Sequence, residues 1–379
     1  MLSVLLRSSE QRLRQIAQAR QAVLQEGTSL PGALADPWIV RSWRRCLASG
    51  KRPEQEVAFD VIAPQALRRT EEANHGLVHA ARPVLNRLGA AIASTRYFAI
   101  LTNAEGVVVD VNGPVDRHDR RADLITRIGV DLSERSVGTT AIGAALTELQ
   151  PVWLHRGEHF FNATSAYSCA GAPLFGPDGR CVGMLDLTGV ETVERPELKH
   201  LVAQSARNIE NALTRTRPHA LLVRLNWSSH SLGEDADGLV CLDADGWVTG
   251  ANPAARQMVA QLNAGGAAPV HCSELFAMPY EMLFDAARRD LTQRQDTLEA
   301  PLWSGLRLHA LPQRPGHPGA PGRRGGATLQ PPHVPLKDME TALIRKAVDE
   351  ARGNVMKAAR TLGVSRATVY RRLGGKPGK

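Results

Sequence analysis

The sequence predicts an α+β multidomain protein in which two sheet-and-helix modules precede a small, all-α, helix-turn-helix module at the C-terminal end. Three observations carry this expectation. Three segments share the pattern of an apolar strand, a turn ending in Gly and a second apolar strand, and stretches at helical spacing flank them. A Pro- and Gly-rich stretch from Leu311 to Pro335 cannot build a core and reads as a linker. Beyond it, Ala351 to Lys379 holds eight basic residues and no acidic one, which equals the whole formal excess of +8. A cationic excess confined to one helical segment is the electrostatic footprint of a nucleic-acid module.

Each element follows from its residue pattern. Glu10 to Gln25 places Leu13, Ile16, Ala17, Arg20 and Leu24 near a helical period and reads as an amphipathic helix without chemistry of its own. Trp38 to Leu47 reads as a short helix whose aromatic side packs, and helical spacing returns from Pro64 to Ala93. The period then changes to two. The first hairpin joins Ala99–Thr102 to Val107–Val109 through Gly106, and the second joins Ala172–Phe175 to Cys181–Leu185 through Gly179. A third joins Gly238–Leu242 to Trp247–Val248 through Gly246. Glu197 to Arg217 is helical by spacing and separates the first two hairpins from the third. Antiparallel sheets in two α+β domains follow. The expected organisation is an N-terminal helical segment (1–78), a first sheet domain (79–217), a second (218–310), the linker (311–335) and the terminal module (336–379).

Composition bounds the class. The chain has 379 residues, 43% hydrophobic and 22% charged, enough for several cores. No apolar run approaches the roughly 18 residues of a membrane span, and the N-terminal apolar patch is too short for a signal-peptide core, so a cytoplasmic protein with no membrane partner is expected. Cys46, Cys169, Cys181, Cys241 and Cys272 are scattered, without CxxC, and read as reduced thiols. No metal site and no cofactor are expected.

In the terminal module, Met339 to Ala351 reads as a helix stopped by Gly353, and a second helix runs from Val355 to Leu362. After Gly363-Val364, Ser365 caps a third, in which Val369 and Leu373 face inward at i and i+4. Residue chemistry leaves open a basic helical hairpin that makes only protein contacts. Gly353-Asn354, Ala358-Ala359-Arg360, Leu362-Gly363-Val364-Ser365-Arg366 and Thr368 to Leu373 together resemble the Fis-type helix-turn-helix. The resemblance implies a dimer on double-stranded DNA, with the third helix in the major groove. Arg366, Thr368, Tyr370, Arg371 and Arg372, with Lys357 on the preceding helix, are the implied DNA contacts.

Upstream, Ile128 to Glu134, Val137 to Leu146, Pro151 to Phe160, Ser168 to Leu174 and Gly183 to Gly189 stand in order, with Ser42 to Leu47 before them and Ala206 to Asn211 after. This set resembles the GAF sensor half of the acetoin-catabolism regulator family. The third hairpin with Gly250 to Ala255 is similar to the start of a PAS domain. The resemblance implies a small-molecule effector, with Trp153, His159, Phe160 and Cys169 as pocket residues, although packing alone explains the same four. Family activators carry an ATPase module before the DNA-binding domain, yet no G-x-x-x-x-G-K-[ST] occurs here. Enhancer-type activation by ATP hydrolysis is therefore not expected, and direct recruitment of RNA polymerase, repression and antagonism of a full-length relative stay open.

His155-Arg156-Gly157-Glu158-His159 matches the H-x-x-E-H zinc-peptidase pattern, but Pro151 to Leu154 reads as a strand, whereas zinc chemistry needs both imidazoles on one helix face. A thiol enzyme using Cys169 or Cys181 is the other enzymatic reading, and a ligand-independent, nucleoid-associated DNA-bending protein is the non-enzymatic alternative. The favoured expectation is a bacterial, non-enzymatic, dimeric transcriptional regulator governed by a small molecule.

Overall fold

In the computed structural model, residues 2–27, 34–263, 269–289, 297–315 and 355–356 are described. The chain divides into two compact units, Met1–Pro318 and Gly319–Lys379. In the second unit Val355 and Met356 are helical. The expected DNA contacts Lys357, Arg366, Thr368, Tyr370, Arg371 and Arg372 lie outside the described residues, as does most of the expected linker.

The first unit opens with helix α1 (Leu2–Arg20), continued by a π-helical turn over Gln21–Gln25, and then α2 (Pro37–Ala48) and α3 (Pro64–Ile92). Strands β1 (Tyr97–Asn103) and β2 (Val108–Asn112) follow, then short helices α4 (Arg120–Ile125), α5 (Glu134–Val137) and α6 (Ala141–Glu148). Strands β3 (Val152–His155), β4 (Tyr167–Phe175) and β5 (Cys181–Val190) complete a five-stranded antiparallel sheet of order β2-β1-β5-β4-β3. The chain then enters helix α7 (Leu198–Arg215).

The alternation of a strand sends successive side chains to opposite faces, and here both faces are covered. Tyr97, Ala99 and Leu101 of β1 meet Leu85 and Leu88 of α3 and Val202 and Ile209 of α7. Phe98 and Ile100 join the other core, where Trp38, Ile39 and Trp43 of α2 and Ile142 of α6 pack. Burial on two sides explains why β1 opens as an apolar run, Tyr97 to Leu101, with every residue of the strand buried. The N-terminal helices thus share a core with the first sheet, and the expected boundary at residue 78 falls inside the continuous helix α3.

The second sheet is built from β6 (Leu221–Asn226), β7 (Gly238–Leu242) and β8 (Val248–Ala251), helices α8 (Pro253–Met258), α9 (Cys272–Leu275) and α10 (Glu281–Arg289), and strands β9 (Leu298–Pro301) and β10 (Arg307–Gln313). Its order is β8-β7-β6-β10-β9, again antiparallel, and it has its own core. The end of β10 runs past the expected linker start at Leu311, because Leu311 to Gln313 pair with β6. All three predicted hairpins form, and Gly106, Gly179 and Gly246 have φ of 85°, 82° and 90°, the left-handed region that a residue with a Cβ rarely adopts.

Close packing inside the first sheet is testable at Gly183. A Cβ added there would stand 2.2 Å from the Thr102 carbonyl oxygen, where β5 meets β1. Gly183→Ala is expected to lose about 1–3 kcal/mol in urea denaturation. An unchanged midpoint would mean that the two strands are not held this closely.

Candidate functional site

A cavity of about 30 Å³ lies on the face of the first sheet that carries α4 to α6, room for roughly two water-sized groups. Ile100, Ile125, Leu132, Val137 and Ile142 give it apolar walls, and His159, Tyr167, Cys169, Asp186 and Thr188 give it polar ones. Strand period explains the polar set. Tyr167 and Cys169 on β4 and Asp186 and Thr188 on β5 occupy alternate positions of paired central strands, with Cys169 directly opposite Thr188.

His159 follows a tight turn of 3₁₀ type, Arg156–Glu158, and is fully buried. Its Nδ1 lies 2.9 Å from the Arg156 carbonyl oxygen, which can only accept, so Nδ1 carries the proton and donates. Burial, reinforced by the nearby Arg20 charge and opposed by that carbonyl bond, pushes the imidazole pKa down to about 4. The ring is therefore neutral, and its Nε2 is a lone-pair acceptor with no partner in a cavity wall.

Asp186 is also fully buried. The Thr188 hydroxyl donates to its Oδ2, while Oδ1 has no partner. Desolvation raises this carboxyl to about 7, against the smaller effect of the Thr188 bond, so near neutral pH it exchanges between acceptor and donor. Two orphaned buried polar atoms on one small cavity are a ligand-shaped arrangement, since a buried polar group without a partner costs about 1–3 kcal/mol.

The four expected pocket residues divide. The structure brings His159 and Cys169 to the cavity. Phe160 is fully buried in the core, edge-on to Phe161 with ring centroids 5.0 Å apart. Trp153 packs with the cluster on the opposite, α3/α7 face, because it alternates with Val152 and Leu154 on β3. Asp186, Thr188 and Tyr167 were not foreseen. A lone carboxylate within the apolar run Met184 to Leu187 was the available signal.

Both enzymatic readings meet physical objections. His155 ends β3 with its Nδ1 2.8 Å from Ser168 Oγ, whereas His159 lines the cavity from beyond the turn, so the two imidazoles share no helix face. Among the described residues, no group of three or more His, Cys, Asp or Glu is placed to hold a metal ion. The Cys169 thiol lies 3.2 Å from Thr188 Oγ1, and burial pushes its pKa well above the ordinary thiol value. Burial also raises the Cys181 thiol. A nucleophilic thiol needs the opposite shift.

Among the described residues, no helix is long and apolar enough to cross a membrane. Residues 335–374 match the model of the family described as bacterial regulatory protein, Fis family. The acetoin catabolism regulatory protein of Cupriavidus necator is 30% identical over 286 residues, covering 72% of this chain and 42% of that protein. The propane 2-monooxygenase operon transcriptional activator MimR of Mycolicibacterium goodii is 30% identical over 197 residues, 52% of this chain and 32% of that protein. The chain thus spans less than half the length of either relative. Among solved structures, the E. coli DhaR(N)-DhaL complex aligns with TM-score 0.45 and 16% identity, over 74% of this chain and 100% of that one. Residues 14–211, just over half of the chain, match the model for the MimR N-terminal domain, and the chain belongs to that family.

Proposed function

We propose that this protein is a transcriptional regulator that binds double-stranded DNA through its Fis-type C-terminal module and answers to a small molecule held in the first sheet domain, read as a GAF-type sensor. The observation that carries the sensing half is the pair of unpartnered buried atoms, His159 Nε2 and Asp186 Oδ1, on one cavity. A neutral acceptor on one wall and a carboxyl on another favour a small, uncharged effector that offers at least one O–H or N–H to His159. The regulatory names of the relatives, one of acetoin catabolism and one of a propane monooxygenase operon, agree with a regulator of small-molecule metabolism.

The DNA-binding half is supported by the Fis-family match and by the eight cations of the terminal segment. A homodimer in the cytoplasm would present two recognition helices to half-sites about 34 Å apart, or a multiple of that distance. Without a Walker-type loop, regulation would proceed by direct contact with RNA polymerase, by repression, or by competition with a relative that carries an ATPase. The second sheet domain, PAS-like in its first hairpin, would relay or modulate the signal.

The test is genome-wide occupancy at one salt concentration, comparing the native protein with an Arg371→Ala, Arg372→Ala double variant. Discrete, palindromic sites lost in the variant are expected. In vitro, the slope of log affinity against log salt should fall by about four, close to one unit for each of the four phosphate contacts that the dimer loses, two per subunit. Diffuse occupancy that the variant does not alter would overturn the regulator reading and favour a nucleoid-type protein.

A further inference from the structure

The turn that presents His159 to the cavity is gripped from outside by helix α1. One guanidinium does most of this. Arg20 donates to the carbonyl oxygens of Gly157 (2.8 Å), His159 and Phe160 (3.1 Å), and to Asn162 Oδ1 (2.8 Å). Arg12 pairs with the fully buried carboxylate of Glu158, which also accepts the His155 backbone N–H at 2.7 Å. The helix sits directly on the turn, for a Cβ added at Gly157 would lie 3.1 Å from side-chain atoms of both Ile16 and Arg20.

The turn holds itself only in part, through the His159 N–H to the Arg156 carbonyl (3.1 Å) and the His155 N–H to Glu158, while Trp43 Nε1 of α2 donates to the Glu158 carbonyl at 2.9 Å. Arg156 has φ of 51°, a strained value for a residue with a Cβ, and its carbonyl is the one that fixes the His159 ring. Three further carbonyls of the segment take their hydrogen bonds from Arg20, so displacing α1 would leave them short of donors. The wall of the cavity and the seat of α1 are therefore the same few residues, His159 facing inward and its own carbonyl facing Arg20. What stabilises one side must, by reciprocity of coupling, stabilise the other.

We propose that α1 is the output lever of the cavity: Arg12 and Arg20 clamp the Arg156–Phe160 turn, and filling the cavity behind His159 tightens that clamp. The inference rests on reading the cavity as an effector site, and it adds the route by which occupancy leaves the domain. The Arg20 contacts carry the coupling, and Arg12 with Glu158 sets its register.

Hydrogen exchange of the full chain tests this without any ligand. Val137 is fully buried in the cavity wall, and Val137→Ile adds one methyl group that partly fills the void. Residues 10–25 are expected to exchange about threefold more slowly in Val137→Ile, and the slowing should vanish in an Arg20→Ala background. Arg20→Lys, which keeps the charge but not the forked geometry, carries the same cycle should Arg20→Ala fail to fold. Unchanged exchange in residues 10–25 beside slower exchange in 132–142 would overturn the lever, as would equal slowing with and without Arg20. Coupling of α1 in a protein whose DNA occupancy ignores metabolites would instead remove the effector reading and leave the lever standing.

Discussion

Asp186→Asn is expected to stabilise the protein by about 4 kcal/mol above pH 7 while leaving its stability below pH 4 nearly unchanged, given a carboxyl raised from 3.8 to about 7 by burial. The folded state keeps this proton up to about pH 7, whereas the unfolded chain releases it near 4. Folding is therefore linked to proton uptake between those values, and the group's contribution to stability is full below about pH 4 and is lost as pH rises to about 7. Asn cannot ionise, and its side-chain oxygen can still accept from the Thr188 hydroxyl. Glu158 and Glu210, both raised to about 7 by burial, act with the same sign, while His155 and His159, both lowered to about 4, act with the opposite sign. These cancel in the difference between variant and native protein. Urea denaturation at intervals from pH 4 to 8 should give a difference curve that climbs through this window and then levels. A flat difference curve would show that Asp186 titrates normally and is not sealed from water.

The fold was largely legible because its signals are local. Strand alternation, a glycine at the end of each tight turn and helical spacing in α3 and α7 are fixed by residues within a few positions of one another, and each recurs in the structure. The candidate site was only partly legible because it is assembled across the sheet. His159, Cys169 and Asp186 all stand in segments that carry the resemblance, but Asp186 reads locally as one polar residue in a strand, and only its placement between two covered faces makes it a buried carboxyl. Trp153 shows the converse. An aromatic residue beside the motif invited a pocket role, but the period of β3 turns it to the other face. The role of α1 was illegible in principle, since Arg20 and the carbonyls it serves are about 140 positions apart and no spacing rule links them.

Arg224→Met is expected to cost about 3–5 kcal/mol, because it strips a fully buried carboxylate of its cation. Arg224, on the central strand β6, places Nε 2.6 Å from Asp237 Oδ2 and donates through Nη2 to the Glu234 carbonyl at 2.6 Å. Asp237 also accepts from Asn226 Nδ2 at 2.9 Å and from the Gly233 N–H at 2.8 Å, so its remaining donors are neutral. Neutral bonds compensate a buried charge poorly, and the double variant Arg224→Met, Asp237→Asn should recover roughly half of the loss by removing the charge while keeping an acceptor for Asn226 or Gly233. The effect should also reach α7. The Asp237 carbonyl accepts from Asn252 Nδ2, which donates as well to Asn211 Oδ1 on that helix, while Asn211 Nδ2 reaches the Asp235 carbonyl. Faster hydrogen exchange at the C-terminal end of α7 in Arg224→Met, restored in the double variant, is the expected companion of the stability loss. A cost below about 1 kcal/mol would place the pair among exposed salt bridges of small effect and detach it from the junction between the two sheets.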